Sequence, residues 1–180
     1  IDYQVGRTGR ITPVAKFDEV QINGVKINKA TLHNFDEIDR LGINQDSTVV
    51  IKRSGDVIPQ VVECVDPDES IKEIQYCPVC FGDVAKDGVH LFCQNDACPA
   101  KFKGSIKNFV SREAMDIDGI GDKIIEQLCD IIDNPFGLYN LDMEDLLSLD
   151  KVEQKTANKV LREIEESKNV KLDKLVNALG

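Results

Sequence analysis

Residues 77–98 read CPVCFGDVAKDGVHLFCQNDAC, and this stretch sets the organisation of the whole chain. Cys77 and Cys80 stand as C-x2-C, twelve residues follow, and Cys93 and Cys98 stand as C-x4-C. Two close pairs about a dozen residues apart let two short turns fold over one ion, the spacing of a tetrahedral four-thiolate zinc site. A redox dithiol needs one C-x-x-C where a strand leads into a helix, and here a second pair follows within reach. Iron in a rubredoxin-like site is the main competing reading. Four thiolates close the coordination sphere, so the metal is structural and no position stays open for substrate. So short a stretch carries too little apolar surface to fold alone, and metal binding supplies its stability. His90 lies three residues before Cys93, but four well-spaced cysteines make it redundant as a ligand.

Working outward, the segments on either side read as separate modules. Residues 1–65 read as β, with Val14, Val20, Ile22, Val25 and Ile27 in short runs punctuated by Gly and Pro. The strongest strands are STVVIKR (47–53) and VIPQVVECV (57–65), joined by a tight hairpin at Ser54-Gly55-Asp56. Pro59 belongs at an edge or a bulge. One helix interrupts, with Asn34 as N-cap, Glu37 as capping-box partner and Gly42 as its end. Several strands and one helix in so few residues suit a small closed barrel of the OB type. Residues 66–76, DPDESIKEIQY, are acidic and read as a linker.

From Pro99 onward the pattern is helical. Pro99 suits the first turn of a helix running to about Arg112. Ile124, Ile125, Leu128, Ile131 and Ile132 form an apolar face, and a further helix runs from about Gln154 to Lys168. Between helical patterns stands Asp118-Gly119-Ile120-Gly121-Asp122-Lys123. A lone G-x-G is weak evidence, but in a helix-hairpin-helix setting it predicts a tight turn whose backbone N–H groups grip a DNA phosphate without reading bases. The competing reading is a plain turn between helices. A second copy runs from Leu149 to Ala157, with Glu153 at the glycine position. Either this hairpin has lost its phosphate contact, or Lys151 and Lys155 bind in its place.

Net charge is −10, and no third of the chain is basic. Binding through a blanket of lysines is therefore excluded, and any DNA contact must come from a few placed cations and from backbone donors. No apolar run is long enough for a membrane span, and the first residues lack a signal-peptide layout. Cys64 and Cys129 read as small buried thiols. Free thiols beside a thiolate site point to a reducing cytoplasm. Both ends read as interior sequence, so a piece of a larger, monomeric protein is expected.

Five motifs in register, VGRTGRITPVA (5–15), ATLHNFDEI (30–38), KRSGDVIPQVV (52–62), the four-cysteine stretch and SREAMDIDGIGDKIIEQL (111–128), resemble the bacterial NAD-dependent DNA ligases over essentially the whole chain. The resemblance implies an OB barrel (1–65), a zinc finger (77–98) and a helix-hairpin-helix domain (99–180). It also implies an enzyme that seals nicks. In that family a lysine takes AMP from NAD, AMP passes to the 5′-phosphate at the nick, and the 3′-hydroxyl displaces it, with magnesium neutralising the developing charge. The family's K-x-D-G lysine motif lies in an upstream adenylation domain and is absent here; Lys86-Asp87-Gly88 is a near miss read as a turn. This piece is therefore expected to wrap nicked duplex DNA rather than seal it.

By resemblance, Arg7, Thr8 and Arg53, with Lys52 behind them, should meet the DNA backbone. Val57 and Ile58 resemble the apolar pair that the family presses into the minor groove. Gly119, Ile120, Gly121 and Lys123 make the phosphate clamp, with Lys151 a candidate in the second hairpin. His33 reads as a hydrogen-bonding group at a helix start rather than a catalytic base. The rival function is a non-catalytic zinc-containing DNA-binding module of a recombination or repair mediator. Those proteins place the hairpin before the zinc and lack the barrel.

Overall fold

A computed structural model of the chain describes residues 1–22, 24–52, 59–69 and 71–179. It divides into two compact units, Ile1–Cys98 and Pro99–Gly180. Among the described residues the first holds seven strands and one helix: β1 (Asp2–Val5), β2 (Arg10–Ile22), β3 (Val25–Thr31), α1 (Phe35–Leu41), β4 (Val49–Lys52), β5 (Gln60–Cys64), β6 (Val84–Asp87) and β7 (His90–Cys93). Among the described residues the neighbours run β4-β5-β3-β2-β7-β6, and β1 also pairs with β2. The β3–β5 contact is parallel at Thr31↔Gln60 and the other ladders are antiparallel. A meander of three strands, a helix, and the antiparallel pair β4 and β5, whose second strand returns beside β3, make a mixed, OB-like sheet.

Apolar residues of this sheet close over α1. Ile11, Ala15, Ala30, Leu32, Val61 and Cys64 pack with Phe35, Ile38 and Ile43, and Tyr3 stacks on Phe35 at 5.9 Å between ring centroids. Each fully buried aliphatic side chain contributes about 1.5–3 kcal/mol. The helix starts where the sequence places it: the Glu37 N–H donates to Asn34 Oδ1 at 2.8 Å. The capping box is half made, because the Glu37 carboxylate turns instead to Arg40. Gly42 ends the helix at φ 64°, where an added Cβ would stand 2.9 Å from the Pro67 Cβ.

That contact changes the reading of residues 66–76. The stretch expected to be a linker lies on the sheet unit: the Asp68 N–H donates to Gly42 O, the Ile71 N–H to Ile43 O, and Ile71 and Ile74 pack on the core. Two isoleucines in an otherwise acidic run supply the apolar surface that holds it. The four-cysteine stretch likewise joins its neighbour. Its hairpin, β6 and β7, pairs with β2 at Arg10↔Phe92 and Ile11↔Leu91, and Leu91 enters the core of the sheet unit. The hairpin and Arg53, Val57 and Ile58 of the 52–62 motif lie outside the described residues.

The second unit is helical: α2 (Pro99–Val110), α3 (Asp122–Leu128), a 3-10 turn (Pro135–Asn140), α4 (Met143–Ser148), α5 (Gln154–Ser167) and α6 (Leu172–Leu179). The helices α2 and α5 fall near the expected bounds. The expected apolar face through Ile132 breaks, because α3 stops at Leu128 and the chain turns, leaving Ile131 exposed and Ile132 buried. The core gathers Ile106, Phe109, Ile117, Ile120, Ile125, Leu128, Leu138, Leu146, Val160 and Ile164. Phe109 meets Phe136 and Tyr139 edge to face, at 5.3 and 6.2 Å. No described helix is long and apolar enough to cross a membrane.

Candidate functional site

Three features are the candidates for function: a cysteine cluster, an exposed turn of the sheet unit, and a pair of hairpins in the helical unit. The cysteine cluster brings together the sulfurs of Cys77, Cys80, Cys93 and Cys98, all within 4.8 Å of one another. Cys77 and Cys98 stand 4.0 Å apart and Cys80 and Cys93 3.5 Å. A metal with four thiolates at about 2.3 Å needs sulfurs about 3.8 Å apart, so the donor set fits one tetrahedral ion. Three of the four are buried, which shields the site from solvent. The Gly82 backbone pulls the Cys80 thiol down to about 6, while burial pushes Cys93 up to about 12. A bound cation overrides that spread by holding all four as thiolates. His90 is not part of the cluster, and its Nδ1 is buried without a partner.

The Gly6–Gly9 turn carries Arg7 and Thr8, both exposed, between β1 and β2. It is closed by the Gly9 N–H donating to Gly6 O and the Gly6 N–H to Arg10 O. Gly9 is buried at φ 83°, and its carbonyl accepts from the Cys93 N–H at 2.9 Å. A residue of the cysteine cluster thus fixes the turn by its backbone, a link that motif reading missed. Lys52 is exposed at the end of β4. His33 holds a left-handed φ of 61° and bonds Gln60 Oε1 through Nε2 at 3.2 Å, in keeping with a structural role.

In the helical unit, Ile117-Asp118-Gly119-Ile120-Gly121 leads into α3, and Leu149-Asp150-Lys151-Val152-Glu153 leads into α5. The two hairpins match position for position. Gly119 takes φ 97° and Lys151 takes φ 64°. Ile117, Ile120, Leu149 and Val152 are buried. Gly121 and Glu153 are the N-caps, and neither supplies a side-chain hydrogen bond to its helix. By contrast α1, the 3-10 turn and α4 are capped by Asn34, Asn134 and Asp142. The hairpins also hold each other. Lys159 of α5 ion-pairs with Asp118, and Gln127 of α3 accepts from the Asp150 N–H at 2.7 Å.

The two glycines of the first hairpin differ. A Cβ on Gly119 would meet Val160 Cγ2 at 3.2 Å in a left-handed backbone, whereas one on Gly121 meets nothing within 4 Å. Gly119 serves the turn, and Gly121 leaves the approach to the helix start open. The Ile120 side chain is core, so only its backbone faces the approach. The Gly119 N–H is already taken by Asp118 Oδ1 at 2.8 Å, so any backbone donor open to a ligand lies beyond it. Lys123 and Lys151 are exposed, and neither is in an ion pair among the described residues.

Comparison with known proteins meets this geometry. Residues 1–73 match the model of the NAD-dependent DNA ligase OB-fold domain. The chain is 45% identical to a DNA ligase of Saccharophagus degradans over 190 aligned residues, covering all of this chain and 28% of that protein. It is 44% identical to a DNA ligase of Helicobacter pylori strain G27, covering 98% of this chain, and 44% identical to one of Solibacter usitatus, covering all of it. The chain spans 28% of the length of each of these relatives. Sheet, cysteine cluster and helices follow one another in the order of the five motifs, and the chain belongs to the bacterial NAD-dependent DNA ligase family.

Proposed function

We propose that this chain is the DNA-engaging portion of a nick-sealing, NAD-dependent ligase, and that it holds nicked duplex by its backbone rather than its bases. The observation that carries the reading is the matched pair of hairpins whose following helices lack side-chain caps. Uncapped first-turn N–H groups satisfy themselves on solvent or on an anion, and a phosphate oxygen is the anion that duplex DNA offers. Backbone donors carry no net charge, so this mode is compatible with a chain of net charge −10. The glycine-lined first hairpin admits a phosphate closely. The second, with Glu153 at the open position, holds none and serves as support.

The turn bearing Arg7 and Thr8 supplies cations and a hydroxyl to the DNA backbone, together with Lys52 and Arg53. Val57 and Ile58 press into the minor groove. The cysteine cluster binds zinc, which the closed all-sulfur donor set favours. The catalytic lysine and the magnesium-assisted steps belong to an upstream adenylation domain of the same polypeptide and NAD recognition to a further N-terminal domain, and the protein works as a monomer in a reducing cytoplasm. Residues 1–180 alone should therefore bind nicked duplex and leave it unsealed. Joined to both upstream domains, the chain should support sealing with NAD. Sealing with ATP alone would overturn the assignment.

A further inference from the structure

A cavity of about 490 Å³ opens beside the first hairpin, walled by the 110–112 and 116–121 segments. Its charged groups are Arg112, Asp116 and Asp118. Two carboxylates would ordinarily repel an anion. Each, however, is matched by a lysine from a helix distant in sequence: Lys159 of α5 pairs with Asp118, and Lys174 of α6 with Asp116 at 3.2 Å. The same lysine donates to Arg112 O at 3.0 Å, tying the two ends of the 112–116 loop, where Asp116 holds a left-handed φ of 56°. Just outside the cavity, Lys107 of α2 pairs with Asp122 at 2.6 Å. Three carboxylates bracket the hairpin, and three lysines from three helices neutralise them. Among the described residues Arg112 is the one charged group on the wall without a partner at ion-pair distance, although its charge reaches Asp118 and helps to hold that carboxyl down.

We propose that Arg112 is the side-chain partner of the phosphate held at the glycine hairpin, and that Lys159 and Lys174 are positioning residues that keep Asp118 and Asp116 from repelling it. This rests on the reading of the hairpin as a DNA contact and adds to it a cation and a charge-compensating shell. A guanidinium gives two parallel donors to a phosphate and carries its charge at every accessible pH. The second hairpin thereby has a task without touching DNA, because its helix delivers Lys159.

The test is fluorescence anisotropy of the metal-loaded chain with a nicked duplex oligonucleotide, across a salt series. Arg112→Gln should weaken binding about tenfold and flatten the slope of log affinity against log salt by about one. Lys159→Met should weaken binding about fivefold, and adding Asp118→Asn should restore it, since the repelling charge is then gone. Asp118→Asn alone should hold or raise affinity, and this variant keeps the test open if Lys159→Met does not fold. An unchanged slope for Arg112→Gln, or a double variant as weak as Lys159→Met, would overturn the inference. If Gly121→Leu still weakens binding in that event, the hairpin reading stands and only the charge shell falls. Failure of the unaltered chain to bind would sink both.

Discussion

Gly119 and Gly121 look equivalent in sequence and differ in what they permit. Gly121 has ordinary extended backbone and open space around its Cβ direction, so Gly121→Leu should keep its melting temperature while its affinity for nicked duplex falls about tenfold. Equal affinity, read in the same anisotropy assay, would remove the hairpin from the interface. Gly119→Ala forces a side chain into the left-handed region and onto Val160, and should cost about 1–2 kcal/mol in urea denaturation. At Lys151 the strain is already present, so Lys151→Gly should stabilise the chain by up to about 1 kcal/mol. A loss there would mean that the lysine side chain supports the fold. The GIG turn was legible because glycine pairs have few other uses between helices. The left-handed Lys151 was legible only by alignment of the two copies, since lysine carries no local mark of that conformation.

At the scale of elements, the cysteine hairpin and the barrel are one sheet. The ladder between β2 and β7, Leu91 in the barrel core, and Lys86 bridging Asp36 and Glu73 join them. Because the Cys93 N–H holds Gly9 O, an ion bound through Cys93 would also fix the turn of Arg7 and Thr8. Chelation should therefore speed amide hydrogen exchange in residues 6–11 as well as in the cysteine hairpin, and weaken duplex binding. Fast exchange confined to residues 77–98 would contradict this coupling. Spacing alone picked out the four cysteines that the fold gathers, since four cysteines over two turns have one common geometry. It was silent on the docking, because a pairing between strands so far apart in sequence leaves no local periodicity. For the same reason residues 66–76 read as a linker, and only the place of Ile71 and Ile74 in the fold gives those side chains a core to join.

For the whole molecule, charge decides how DNA can be held. The carboxyls of Asp2, Glu37, Asp118 and Asp122 are drawn below their ordinary values by hydrogen-bonded Lys16, Arg40, Lys159 and Lys107 respectively. A depressed pKa means that the folded state binds fewer protons than the unfolded one there. The contribution is complete above the ordinary carboxylate range, about pH 4–5, and is lost as pH falls through the lowered values. Melting temperature at low salt should hold from neutrality to about pH 5 and fall below about pH 4. A flat profile into stronger acid would show that these surface pairs contribute nothing. Net acidity itself was plain in the composition. Its local cancellation around Arg112 was not, because Lys107, Lys159 and Lys174 come from three separate helices. On the proposed reading a few backbone donors and placed cations grip duplex phosphates, and the salt dependence of nicked-duplex binding by metal-loaded residues 1–180 tests this most directly. Measurable binding is expected with a log–log slope of about −2.7 to −4.5, three to five phosphates at roughly 0.9 each, and no dependence on base sequence. No binding at low salt, or a slope near about −10, would contradict it.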